Sequence, residues 1–249
     1  MEAMRNMIRQ MFLALVIGAL AAITTGTAAA LAATPQTYAV ESLSPSDGAV
    51  VGIAHPVTVR FATPVADRAR AERSVTVGAL PGSFTWHGDR ELVWQPRGFL
   101  PAATRLTVAA GTARTEFRTD GGTTADADMS AHTFTVDVPG QPPRVMPASM
   151  GKPGRETPVG TFPVLERDRS VVMDSRTIGI PLSSPEGYYI TAQFAERLTW
   201  SGVYVHSAPW SVDQQGHENV SHGCINLAPD DAQWYYSVVR IGDPVTTHW

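Results

Sequence analysis

Apolar and polar positions alternate with a period of two in short runs along most of the chain. That spacing sends one face of a β-strand into a core and the other toward water. Val57-Thr58-Val59-Arg60-Phe61 is such a run. Ser83-Phe84-Thr85-Trp86 and Glu91-Leu92-Val93-Trp94, separated by His87-Gly88-Asp89-Arg90, predict a hairpin around a glycine-bearing loop. Ser74 to Val77, Arg105 to Val108 and Thr115 to Arg118 predict further strands, and this regular spacing with intervening prolines predicts a small β-sandwich. Trp86 and Trp94 are assigned to its core. The small, polar stretch from Asp120 to Ser130 predicts a linker. Alternation resumes in His132 to Val138, with Phe134, Val136 and Val138 on one face, and opens a second β-rich domain. The prolines between Val136 and Met146 are expected to interrupt a regular hairpin at its start. Farther on, Trp200 to His206 predicts a strand with Trp200, Gly202, Tyr204 and His206 on one face. One helix is predicted, with Pro229 near its start, Asp230 and Asp231 in its first turn and Gly242 beyond its end.

The N-terminus departs from this pattern. Arg5 and Arg9 form a positive region, Met11 to Ile23 is apolar, and Ala30-Leu31-Ala32 offers a small-x-small cleavage site. These are the parts of a signal peptide over residues 1–32. Left uncut, the uncharged stretch from Met11 to Ala33 is long enough to span a bilayer. In both cases the remaining chain is expected outside the cytoplasmic membrane, in the periplasm or cell wall. The domains are placed at 37–128 and 129–249, and the fold class is mainly β with one or two short helices. With 43% apolar and 17% charged residues the composition is that of globular domains. A net charge of −4 without blocks of like charge gives no nucleic-acid footprint.

The candidate chemistry centres on Cys224, the single cysteine, in Ser221-His222-Gly223-Cys224-Ile225-Asn226. Exported proteins use cysteine mostly in disulfide pairs, so a lone one is either buried and inert or kept as a reactive thiol. Its glycine and polar neighbours, with His206 eighteen positions upstream, point to a nucleophile. A thiol needs a base to become a thiolate. His206 arrives from a different strand and is assigned that role, with His222 in support. Ser207, through its hydroxyl or its carbonyl, is the nearest group to orient the His206 ring. The N–H groups of Gly223 and Cys224 are offered as an oxyanion hole, since glycine permits close approach. Asn226 either fixes the loop or holds substrate. His206, His217, His222 and Cys224 lack the paired cysteines and regular histidine spacing of structural zinc sites, so neither metal nor cofactor is expected.

These residues resemble the signature of the L,D-transpeptidase catalytic domain of the YkuD type. Lys152 through Phe162 resembles the Thr-Pro-x-Gly element that this family carries ahead of its active site. His206-Ser207-Ala208-Pro209-Trp210, Met173-Asp174-Ser175 and Ser201-Gly202 resemble the mycobacterial peptidoglycan enzymes, which place an immunoglobulin-like domain before the catalytic one. The resemblance implies an immunoglobulin-like sandwich in front of a β-rich catalytic fold. It implies a thioester on Cys224 formed from a tetrapeptide stem with release of D-alanine, and 3→3 cross-linking to a second diaminopimelate stem. It implies that Tyr188, Ser201, Gly202 and Asn226 contact the donor stem, that Trp210 and Met173 line the cleft, and that carbapenems acylate Cys224. A monomer is the expected state. An exported Cys/His peptidase of the wall and a non-catalytic wall-binding protein are the alternatives.

Overall fold

The computed structural model describes residues 38–249, and the signal-peptide segment falls outside the described residues. Among the described residues no helix is long and apolar enough to cross a membrane. The sandwich forms where the alternation predicted it. One four-stranded sheet runs in the order β1 (Val40–Ser44), β3 (Val57–Phe61), β6 (Glu91–Pro96), β5 (Gly82–His87). The second runs β2 (Val50–Val51), β8 (Ala113–Thr119), β7 (Arg105–Ala110), β4 (Val75–Val77). Val57, Val59 and Phe61 on one side and Val108 and Phe117 on the other are buried between them. Trp94 is buried and Trp86 stacks on Phe61 with ring centroids 5.8 Å apart, so both tryptophans belong to the core. A short helix, α1 (Arg68–Arg73), is capped by Asp67, whose carboxylate accepts from the Arg70 N–H at 3.0 Å.

The second sheet system has nine strands. Their order is β12 (Gly160–Pro163), β17 (Pro244–His248), β9 (Thr124–Asp128), β10 (Thr133–Asp137), β11 (Arg144–Ser149), β16 (Ile225–Leu227), β15 (Tyr204–Ser207), β14 (Tyr189–Arg197), β13 (Glu166–Asp174). Helix α2 (Pro229–Val238) begins at the predicted proline and packs its Ala232 and Tyr235 against this sheet. Phe134, Val136, Met146, Ala148, Val205, Ile225 and Leu227 complete that core. Phe134 meets Tyr235 edge to face at 4.9 Å.

Three expectations are corrected. The stretch read as a linker contains β9, which pairs with both β10 and β17. Its alternation is carried by Ala125 and Ala127, which are buried, between Thr124, Asp126 and Asp128, which are not. The prolines after Val136 do not interrupt the β10–β11 hairpin. Pairs run regularly from Thr133↔Pro147 to Val136↔Arg144, and Pro139, Pro142 and Pro143 lie in the loop beyond the ladder. The strand read over Trp200 to His206 starts only at Tyr204. Before it the chain turns, with the Gly202 N–H donating to the Thr199 carbonyl and Gly202 at φ +102°.

Candidate active site

Cys224 stands at the head of β16, and His206 lies in β15, its parallel neighbour. The register pairs Val205 with Ile225 and His206 with Asn226. Adjacent parallel strands thus bring together two residues eighteen positions apart in sequence. His206 is buried, and its Nδ1 bonds to the Ser207 carbonyl at 2.9 Å. A carbonyl only accepts, so Nδ1 carries the hydrogen and Nε2 keeps the lone pair a base requires. Of the two roles offered for Ser207, the structure shows the carbonyl. Burial pulls His206 down to about 4 and pushes the Cys224 thiol up to about 11, while the Tyr204 N–H lowers the latter. At neutral pH the thiol and the imidazole that line this site are both uncharged. The thiol also points toward the Gly202 carbonyl, 3.7 Å away.

The turn that presents Cys224 is tied down internally. Ser221 Oγ accepts from the Gly223 N–H at 3.0 Å and donates to the Cys224 carbonyl at 2.6 Å. The Gly223 N–H offered to an oxyanion is therefore engaged within the turn. Gly223 has φ +119°, a region that favours glycine. Its carbonyl accepts from Thr157 Oγ1 at 2.9 Å, and Thr157 in turn accepts from the Gly151 N–H at 3.0 Å. The Thr-Pro-x-Gly element thus braces the cysteine turn from behind.

A cavity of about 520 Å³ opens over the sulfur. Met173, Tyr188, His206, Trp210, His222, Cys224 and Asn226 line it, as does Ser221. Trp210 lies with its ring centroid 5.8 Å from that of His206. Asn226 is buried and donates from Nδ2 to Ser211 Oγ at 3.1 Å, which ties it to the loop after β15. His222 lies beside the Tyr188 ring at 5.2 Å, and burial followed by Lys152 lowers its pKa. Ser207, Gly223, Ser201 and Gly202 do not line the cavity. Ser201 pairs with Thr199 at 2.9 Å in the exposed turn, and Gly202 reaches the site only through its carbonyl.

The loop closing the β13–β14 hairpin forms one wall. Ser175 ties it together, donating to the Ile180 carbonyl at 2.9 Å and accepting from the Tyr188 N–H at 3.1 Å. Sequence reasoning missed the role of Lys152, Glu186 and Gln214 as lining residues. Only Lys152 had left a signal, as the chain's single lysine inside the Thr-Pro-x-Gly element.

A thiol and a tautomer-fixed imidazole on adjacent strands, facing one cavity, define a cysteine enzyme of the acyl-transferring class. Residues 122–246 match the L,D-transpeptidase catalytic domain family and residues 19–116 match a bacterial Ig domain. L,D-transpeptidase 1 of Mycobacterium tuberculosis is 53% identical over 209 residues, covering 83% of each chain. An L,D-transpeptidase from Mycobacterium smegmatis superposes with TM-score 0.82 at 53% identity, over 85% of this chain and 99% of that one. LdtMt1 in complex with imipenem gives TM-score 0.81 at 51% identity, over 85% and 99%. The chain belongs to the L,D-transpeptidase family, and it is a peptidoglycan L,D-transpeptidase with an N-terminal immunoglobulin-like domain.

Proposed function

We propose that the enzyme forms 3→3 cross-links between diaminopimelate stems through a thioester on Cys224. His206 Nε2 takes the thiol proton as sulfur attacks the carbonyl joining diaminopimelate to the terminal D-alanine of a tetrapeptide donor. The C–N bond breaks, His206 returns the proton to the departing amine, and D-alanine leaves. The side-chain amine of a second stem then attacks the thioester, its proton passes to His206 and on to sulfur, and the free thiol is restored. An uncharged resting pair suits this sequence, because proton transfer and attack occur together in a buried site. The Cys224 N–H is the proposed oxyanion donor. Tyr188, Asn226, Trp210 and Met173 are proposed to hold the donor along the cavity, and Ser201 and Gly202 to meet it from the rim. The reaction takes place outside the cytoplasmic membrane, on the reading of residues 1–32 as a signal.

The observation that carries this reading is the fixed tautomer of His206 on the strand beside Cys224. The imipenem complex of one relative and the faropenem-derived adduct of another support carbapenems as covalent inhibitors at Cys224. Mass spectrometry of the protein incubated with a diaminopimelate disaccharide-tetrapeptide tests it. The expected product is a dimer of two stems less one D-alanine, absent with Cys224→Ala. Tripeptide alone would replace cross-linking by hydrolysis, and no product together with no carbapenem adduct would overturn the enzyme reading.

A further inference from the structure

The cavity has a charged corner that acyl transfer to Cys224 leaves unused. Lys152 Nζ donates to Glu186 Oε1 at 2.5 Å. Glu186 Oε2 lies 3.8 Å from His222 Nε2, too far for a hydrogen bond. The Lys152 side chain is 29% exposed and that of Glu186 43% exposed, so the pair sits at the cavity rim in reach of a ligand. The hydrogen bond from Lys152 holds the Glu186 carboxyl below its ordinary range. The corner therefore presents a carboxylate pinned through one oxygen, with the other directed at a neutral imidazole. Among the described residues Glu186 is the only carboxylate lining this cavity, whose other walls include Met173, Ile190 and Trp210.

We infer that Glu186, pinned by Lys152, receives the side-chain ammonium of the donor stem's third residue. The inference rests on the donor reading above. A stem whose third carbonyl meets Cys224 must lay its third side chain in the same cavity. The diaminopimelate side chain ends in a carbon that bears an ammonium beside a carboxyl group, and that ammonium loses water there and needs an acceptor. Glu186 supplies it, and Lys152 is a positioning residue that removes the carboxylate's freedom to turn away. Lys152 occupies Oε1 and leaves Oε2 without a hydrogen-bond donor, so the open acceptor of the corner is Oε2.

Two synthetic tetrapeptide stems test this, one with free diaminopimelate and one with its side-chain amine acetylated. Calorimetry on the full chain carrying Cys224→Ala measures both affinities without turnover. The free amine is expected to bind about tenfold tighter, and Glu186→Gln to bring the two stems to equal affinity. Lys152→Met is expected to shrink the preference while leaving the acetylated stem unaffected, a pattern that loss of packing alone does not produce. Equal affinities with Glu186 in place, or Glu186→Gln weakening both stems by one factor, would overturn the inference. Intact-mass measurement on the Cys224 protein separates it from the donor reading. Preferential binding of the free amine without any thioester would keep the ammonium site and reject that reading, whereas thioester from two stems of equal affinity would do the reverse.

Discussion

Protonating His206 means placing a charge on a ring that is only 2% exposed, and the ring resists it down to about pH 4. Unfolding exposes the ring and restores its ordinary value of 6.5. Between those values the unfolded chain binds a proton that the folded chain does not, so stability is lost as pH falls from 6.5 toward 4. Integrated over that window the effect is about 3 kcal/mol. His206→Gln removes the titration. Urea unfolding midpoints at pH 7 and pH 4.5 should therefore fall further for the wild type than for the variant, and parallel losses would mean that burial does not hold the imidazole neutral. At this scale the sequence was most readable. A lone cysteine after a glycine and a histidine ahead of it were chemically conspicuous, and both line one cavity. The Lys152–Glu186 pair was not readable, because residues thirty-four positions apart have no periodic relation until the β13–β14 hairpin folds over.

Strands were readable where large apolar side chains carried the alternation, as in β3, and not where alanine did. In β9 the buried positions are Ala125 and Ala127, so its composition resembled a linker although its period was two. The Trp200 strand was overread for a related reason, since a turn held by Thr199 shares its residue types with a strand. The Thr-Pro-x-Gly element was recognisable as a motif, but its purpose depended on two segments crossing. Thr157 is buried, accepts from the Gly151 N–H and donates to the Gly223 carbonyl, so one hydroxyl joins the segment before β12 to the cysteine turn. Thr157→Val keeps the shape and leaves both backbone groups unpaired, at a cost of about 1–3 kcal/mol. Thermal unfolding should show that loss, and carbapenem acylation of Cys224 should slow. Thr157→Ser should restore both, and a valine variant matching the wild type in both measurements would remove the brace from this account.

The sandwich and the catalytic sheet are joined by backbone. The Gly52 and Ala54 N–H groups donate to the Ile241 and Gly242 carbonyls at 2.8 Å each. The approach is close enough that a Cβ on Gly52 would stand 2.0 Å from the Asp243 nitrogen. Asp243 is buried at this junction and accepts from the Arg240 N–H at 2.7 Å. Burial, assisted by the neighbouring Asp120 carboxyl, pushes Asp243 up to about 8 from an ordinary 3.8. Here the folded chain holds a proton that the unfolded chain releases. Its contribution to stability is complete below pH 3.8 and is lost as pH rises toward 8. Asp243→Asn keeps the acceptor for Arg240 and never ionises. Thermal unfolding across pH 5 to 9 should therefore show the variant gaining on the wild type as pH rises, the advantage levelling off above about pH 8. A constant difference across that range would mean that Asp243 is ionised in the folded protein throughout. Asp120 precedes β9 and Asp243 precedes β17, the two strands that pair in parallel beneath the sandwich. A neutral Asp243 buried at this junction links the seating of the N-terminal domain to β17, in the sheet whose β15 carries His206.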